Sequence, residues 1–295
     1  MKFWAFDLRE PIPKLNQPHA LAVVRPWMDV GSAGSLTLSC LENTLGAKEL
    51  ARLARPGNFF DLTRYRPTLK RADSETEIDI SNTVISYGRR ELGHDFLFLR
   101  LLEPHMMAET YVDSVVEFLK ASGVVTYGLL GSMYDMVPYT RPLLVTGAAS
   151  NLRLQNELSV AKVISSDYMG PTTVLSLIGQ RALQSGIETF SMVVHLPGYF
   201  VLEEDNRGER RLMEVISSLY GFSIPQADTG KARQQEEQLN AVAEQIMRQE
   251  PRLRLILKQL EANYDSRVDQ TKEETRLSPE VEKFLQDLDK RFRQD

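Results

Sequence analysis

The segment GLLGSMYDMVPYTRP, residues 128–142, places four polar groups close together after an apolar run. Tyr134 and Asp135 are followed by Tyr139 and Arg141, and prolines stiffen the chain around the last two. The guanidinium of Arg141 has the forked geometry that binds a carboxylate or a phosphate through two hydrogen bonds. Its partner is either a neighbouring acid such as Asp135, in a structural ion pair, or an anionic ligand.

A glycine-containing turn stands ahead of the first predicted helix. Gly31, Ser32 and Gly34 precede a leucine-rich stretch, and free backbone amides at a helix N-terminus bind anions. The turn has no lysine to hold a nucleotide phosphate and does not match the GxGxxG fingerprint of dinucleotide-binding proteins. It is therefore either an anion site or a tight connection between a strand and a helix.

His195 and Tyr199 belong to a second polar segment, HLPGY, which follows an apolar run. An imidazole at this place is either a general base or ligand, or a core histidine bonded to the backbone. His105 is a further histidine at a predicted strand end, but two histidines are too few to define a zinc site. Cys40 is interpreted as a small buried apolar residue. We predict no metal, no cofactor and no catalytic residue, since the serine-hydrolase elbow, the Walker loop and the HExxH motif are absent.

The composition is that of an ordinary globular protein, with 295 residues, 42% of them hydrophobic, 25% charged, and a net charge of −5. Without clustered Lys and Arg, nucleic acid is an unsuitable partner. The single cysteine excludes an internal disulfide and indicates a reducing compartment. No apolar stretch reaches the roughly 18 residues of a membrane span, and charges interrupt the N-terminal segment where a signal peptide is apolar. We expect a cytoplasmic protein that binds neither nucleic acid nor membrane.

The elements that position these groups alternate between strands and helices over residues 19–221. Such alternation predicts an α/β domain with a mixed, largely parallel sheet flanked by helices. The predicted strands are 19–27, 82–88, 95–102, 124–130, 143–147 and 189–196, of which the second and third form a hairpin. A helix is expected to begin at Pro171, because proline suits the first helical position. Ligands of such sheets bind beyond the carboxyl ends of the strands, so the polar segments above could share one rim.

The composition changes near residue 225, which we take as the end of the α/β core, 1–225. Residues 231–264 form a predicted amphipathic helical extension, in which Leu239, Ile246, Leu253 and Leu260 recur every seven residues. A polar linker, 265–277, and a terminal helix, 278–295, follow. Apolar surface beyond what the core must cover favours self-association, and a trimer is the first expectation.

Three segments together resemble the proteasome assembly chaperone family, in its bacterial branch. They are GLLGSMYDMVPYTRP, GPTTVLSLIGQRALQSGIETFSMVVHLPGYF and LKQLEANYD, and the early glycine turn with its helix is similar as well. The resemblance covers roughly residues 18–265. It implies a fold of the phosphorylase/hydrolase-like class, a tendency to form oligomers, and proteasome subunits as candidate partners.

Two functions remain open at this stage. The first is a non-catalytic assembly factor, in which the polar segments form an interface rim made of Gly31, Ser32, Gly34, Tyr134, Asp135, Tyr139, Arg141, His195 and Tyr199. The second is a small-molecule binder or enzyme of the phosphorylase/hydrolase class, in which the same residues line a cleft for an anionic substrate. A pocket that joins Ser32, Arg141 and His195 would favour the second function.

Overall fold

Apolar runs and amphipathic stretches form twelve strands and seven helices in the part of the chain that the computed structural model describes, residues 1–72, 75–249 and 252–274. The strands are β1 Lys2–Phe3, β2 Phe6–Leu8, β3 His19–Arg25, β4 Lys48–Leu53, β5 Thr68–Ala72, β6 Glu75–Asp79, β7 Val84–Gly88, β8 Phe96–Leu102, β9 Thr126–Asp135, β10 Val145–Ala149, β11 Ile164–Ser165 and β12 Glu188–Pro197. The helices are α1 Ala33–Thr44, α2 Ala108–Ala121, α3 Leu152–Val160, α4 Val174–Gln184, α5 Asn206–Tyr220, α6 Gln226–Gln249 and α7 Arg252–Glu274.

Ten of these strands form one mixed sheet in the order β1-β2-β4-β7-β8-β3-β9-β12-β10-β11. Its centre is parallel, because β8, β3, β9 and β12 all run in the same direction. The strands on the β1 side of this centre pair antiparallel, and β10 runs antiparallel to β12. The predicted α/β class with a mixed sheet and a helical C-terminal extension is confirmed.

Helices cover both faces of the sheet, so that its central strands are buried on both sides. In β8, Leu97, Leu99 and Leu101 face the core formed with α2 and α4, whereas Phe96 and Phe98 face the core formed with α1, α3 and α5. Both faces of a central strand are therefore apolar, which explains the nearly continuous apolar run of its sequence.

The hairpin of β7 and β8 is confirmed, with Ile85 opposite Leu99. The start predicted for the fourth helix was wrong, since α4 begins at Val174 rather than at Pro171. Its first free amide is satisfied from a distant loop, because both carboxylate oxygens of Glu103 accept a hydrogen bond from the Val174 amide, at 3.0 and 3.2 Å. Burial raises the pKa of Glu103.

Strand β9 continues five residues past its predicted end, up to Asp135. Tyr134 and Asp135 therefore lie on a strand, and only the later part of the 128–142 segment is a loop. Strand β4 and the separate two-stranded ribbon of β5 and β6 were not predicted. β4 is a short strand between β2 and β7. Its pairing with these two strands, rather than a local sequence pattern, makes it a strand.

The helical extension is longer than predicted. Helix α7 runs to Glu274, so residues 265–274 are helical and not the linker that the polar sequence indicated. Contacts from Asp265 and Arg267 to the core, described below, hold these polar turns in place. The terminal helix predicted over 278–295 lies outside the described residues, and the division of the chain into these units stays a prediction.

Candidate functional site

The glycine turn between β3 and α1 is packed against the start of α5. Gly31 and Ser32 both have left-handed backbone angles, with φ of 58° and 52°. The carbonyl oxygen of Gly31 accepts a hydrogen bond of 2.7 Å from the Asp205 amide, and a Cβ atom at Gly31 would lie only 2.9 Å from the Asp205 Cβ. The turn therefore needs glycine for close approach as well as for its backbone angle.

Asp29 occupies the N-terminus of α1, where an anionic ligand was one of the two predictions. Its carboxylate accepts hydrogen bonds from the amide of Ser35 at 3.1 Å and from the hydroxyl of Ser35 at 2.6 Å. Gly34 makes room for it, since a Cβ there would lie 3.0 Å from the Asp29 carboxylate. Burial raises the pKa of Asp29. The protein's own carboxylate thus serves this helix end, which favours the tight-turn interpretation.

A second buried carboxylate, Asp205, was not singled out from the sequence. It caps α5 by accepting hydrogen bonds from the amides of Arg207 and Gly208, each at 3.1 Å. It also forms a two-point ion pair with the Arg207 guanidinium, at 3.1 and 2.6 Å, and both side chains are buried. The sequence signal that could have identified this cap was an aspartate just before a helix, because aspartate is common at helix N-caps.

His195 connects two side chains of neighbouring strands. Its Nδ1 lies 2.8 Å from a carboxylate oxygen of Asp135, and its Nε2 lies 2.8 Å from the hydroxyl oxygen of Thr146. The hydrogen bond from His195 lowers the pKa of Asp135 to about 2, so the carboxylate is ionised and Nδ1 donates to it. Nε2 pairs with the Thr146 hydroxyl in the second hydrogen bond of the ring.

This row of hydroxyl, imidazole and carboxylate has the order of a hydrolase triad but the opposite burial. In a triad the nucleophile faces the substrate and the carboxylate is buried behind the imidazole. Here Thr146 is 8% exposed, while the side chain of Asp135 at the other end is 29% exposed. His195 is a core histidine, as one alternative predicted, although its ring bonds side chains rather than the backbone.

Tyr199 holds the loop that follows β9. Its hydroxyl donates a 2.8 Å hydrogen bond to the carbonyl of Val137 and accepts one of 2.9 Å from the amide of Tyr139. The rings of Tyr139 and Tyr199 both contact Phe200 edge-on. Tyr134 is not part of this loop contact, because it packs against the core formed by α1, α3 and α5.

Arg141 binds the helical extension rather than Asp135. Its Nε and Nη2 atoms donate to the two carboxylate oxygens of Asp265 at 3.0 and 2.9 Å, and Nη1 lies 3.2 Å from Glu261. The hydrogen bonds that Arg141 donates to Asp265 raise the pKa of Arg141. Arg267 of the same helix lies 3.4 Å from the Asp135 carboxylate. Both charged residues of the 128–142 segment therefore contact α7.

A cleft of about 1120 Å³ lies between the Arg141 loop, α5 and the helical extension. Its arginines are engaged within the chain: Arg207 by Asp205, Arg210 by Glu236, and Arg211 by Glu214 together with two backbone carbonyls. Arg141 lines this cleft, but the described residues that line it include neither Ser32 nor His195. This cleft is therefore not the pocket joining Ser32, Arg141 and His195 that would have favoured a small-molecule site.

Residues 23–247 match the sequence model of the PAC2 family. The chain belongs to the PAC2 family. The resemblance found in the sequence is thereby confirmed, since solved structures similar to this PAC2 chain include a proteasome-assembly chaperone homologue. No curated protein matches the chain.

Three solved bacterial structures are similar to this PAC2 protein. A PAC2 family protein from Streptomyces avermitilis is 23% identical with a TM-score of 0.71, over 77% of this chain and 96% of the other. A Mycobacterium tuberculosis protein of unknown function is 21% identical with a TM-score of 0.76, over 93% of both chains. A proteasome-assembly chaperone homologue from Mycobacterium tuberculosis is 21% identical with a TM-score of 0.68, over 76% of this chain and 94% of the other. At these identities the likeness shows the fold.

In this PAC2 chain, the residues of the candidate site contact other residues of the same chain. Each of the charged residues predicted for the site has an intramolecular partner, and the glycine turn is closed by Asp29 and Asp205. Within the described residues, no helix is long and apolar enough to cross a membrane. The contacts of Asp135 and Arg141 join the end of β9 and the loop after it to the helical extension.

Proposed function

We propose that this PAC2 protein is a non-catalytic protein-interaction protein of the assembly-chaperone type. It acts in the cytoplasm as a homo-oligomer, with a trimer as the first expectation. Proteasome subunits are its candidate partners, in keeping with its similarity to a proteasome-assembly chaperone homologue from Mycobacterium tuberculosis. We infer that it has no catalytic residue.

The observation that carries this proposal is the use of the candidate residues inside the fold. Arg141 is paired with Asp265, and His195 lies between Asp135 and Thr146. Catalysis needs a nucleophile or base within reach of a substrate. Groups that are held by one another within the fold are better suited to shaping a surface than to performing chemistry.

The surface that these contacts support is apolar. Helices α6 and α7 carry exposed apolar side chains, which we call the α6–α7 apolar face: Val242, Ile246, Leu253, Leu255 and Ile256. Met136 and Tyr199 of the core lie next to it across a groove of about 340 Å³. Of this face, Ile246, Leu253 and Ile256 line the groove, and exposed apolar patches mark protein-contact sites. Tyrosine and methionine are also enriched in the centres of such interfaces.

Light scattering of the full-length chain tests self-association. We expect a mass above that of the 33.5 kDa monomer at micromolar concentration, and a lower mass for the double variant Leu255→Asp/Ile256→Asp. Leu152→Asp is the matched control, since Leu152 on α3 is 77% exposed and Leu255 is 70% exposed. A monomeric wild type would contradict the proposed oligomer.

Affinity purification from the native host with mass spectrometry tests the partner. The wild-type chain should retain proteasome subunits, while the double variant should lose them and Leu152→Asp should keep them. Purified α subunits of the same host should then bind the wild type directly. If the wild-type chain binds no proteasome subunit in the affinity purification or in the direct binding test, this partner is excluded.

A further inference from the structure

Three ligand-type side chains meet where α1, α5 and α6 come together. Cys40 lies in α1, Glu209 in the first turn of α5, and Asp228 in the first turn of α6. One ligand atom from each of them lies within 4.8 Å of the other two. None of the three belongs to the candidate site described above.

Glu209 is the decisive member of this cluster. It is only 4% exposed, and within the described residues no donor hydrogen-bonds its carboxylate, which faces the Cys40 sulfur and the Asp228 carboxylate. A carboxylate that is largely withdrawn from water and accepts no hydrogen bond is unfavourable as an anion, even with the charge of Lys231 nearby. Burial, followed by the charge of Asp228, raises the pKa of Glu209 to about 7. A cation between these groups would supply the missing partner.

The distances suit a small tetrahedral ion. Two ligand atoms bound to zinc at about 2.0–2.3 Å and at the tetrahedral angle are separated by roughly 3.3–3.8 Å. The Cys40 sulfur and an oxygen of Asp228 are already 3.5 Å apart. A thiolate selects zinc-class ions over Ca²⁺ and Mg²⁺, which prefer oxygen ligands.

We propose that Cys40, Glu209 and Asp228 bind a zinc-class divalent cation. Three protein ligands leave a fourth position for water. Binding replaces the proton of the Cys40 thiol by the metal and releases that proton to solvent. The ion would tie the first turn of the helical extension to the two helices that pack on the sheet, so metal binding would rigidify α6.

Cobalt is the probe for this proposal, since the chain contains a single cysteine. Titration of the untagged full-length protein with Co²⁺ should produce a thiolate-to-cobalt charge-transfer band that saturates at one ion per chain. Added Zn²⁺ should displace the cobalt ion and abolish the band. Both measurements use the wild-type protein, so they do not depend on the folding of a variant.

Variants then assign the ligands. Cys40→Ser should remove the charge-transfer band, and Glu209→Gln or Asp228→Asn should weaken Zn²⁺ binding at least tenfold. Glu214→Gln, on the same helix as Glu209 but facing Arg211, is the matched control and should leave the titration unchanged. Failure of the wild type to give a sulfur band, or Zn²⁺ binding that Cys40→Ser leaves intact, would overturn the proposal.

Discussion

Arg141 and Asp265, which are 124 residues apart in the chain, form a two-point ion pair with nitrogen–oxygen distances of 3.0 and 2.9 Å. The pair joins the loop after β9 to helix α7. Glu261 adds a second carboxylate one turn earlier, and it also accepts a hydrogen bond from Thr140. The helical extension is thus attached to the core at the segment that carries the family resemblance.

Replacement of Arg141 should loosen α7 more than it unfolds the core. The pair is partly exposed, and ion pairs in contact with water contribute little to global stability. Arg141→Ala should therefore speed amide hydrogen exchange over residues 252–274 and leave the melting temperature nearly unchanged. Arg254→Ala, an exposed arginine on the same helix, is the control.

The opposite result would support a small-molecule site. An Arg141→Ala protein with unaltered exchange in α7, beside a wild type that phosphate, nucleotides or dicarboxylates stabilise by several degrees, would show that Arg141 binds a ligand. Melting curves of both proteins with and without these anions decide whether Arg141 forms an internal ion pair or a ligand site.

The Thr146 hydroxyl should matter because it satisfies a buried imidazole nitrogen. Thr146→Val removes the hydroxyl that pairs with His195 Nε2 and leaves that buried nitrogen without a partner, which costs about 1–3 kcal/mol in the free energy of unfolding. Thr68→Val, at an exposed position of the β5–β6 ribbon, should change it by no more than about 0.5 kcal/mol. Urea denaturation measures both, and equal effects would contradict the proposed hydrogen bond.

Substitutions at two glycines distinguish the energetic cost of backbone strain from the cost of close packing. Gly31 and Gly46 both have left-handed angles, with φ of 58° and 56°, but a Cβ would meet Asp205 only at Gly31 and open space at Gly46. Gly46→Ala should cost about 1–2 kcal/mol in unfolding free energy through the backbone alone. Gly31→Ala should cost about 1–3 kcal/mol more through overlap. Chemical denaturation of the two variants tests this, and similar losses would disprove the close approach.

His19 should make the protein less stable as the pH falls from about 6.5 to about 4. Burial, then the neighbouring charges of His94 and Arg153, lowers the pKa of His19 from 6.5 to about 4, while Tyr220 hydrogen-bonds its Nδ1 at 3.0 Å. The unfolded chain therefore binds a proton in this window that the folded chain does not, so stability rises with pH. The loss at pH 4 approaches about 3 kcal/mol.

The pH dependence of unfolding free energy tests this directly. His19→Gln should flatten the slope between pH 6.5 and 4, because the titrating group is gone. His105→Gln, at an exposed histidine, should retain the wild-type slope. An unchanged slope in His19→Gln would assign the pH dependence to other groups.

Much of the fold follows from local sequence patterns. The nearly continuous apolar run of β8, the polar turn that joins it to β7 and the 3.6-residue stripes of the helices can be recognised without knowledge of their partners. The family resemblance was also visible, because three motifs occur in order. Strand β4 escaped detection because its position between β2 and β7 depends on strands that are distant in the sequence.

The sequence by itself determined the α/β class, the family and the list of polar residues that deserved testing. Only the tertiary structure decided what each of them touches: Asp265 for Arg141, Thr146 and Asp135 for His195, and the meeting of Cys40 with Glu209 and Asp228. The physical reason is the sequence distance over which each kind of interaction acts. Backbone periodicity is set by neighbours three or four residues away, whereas an ion pair or a ligand cluster forms between groups that packing brings together from distant parts of the chain.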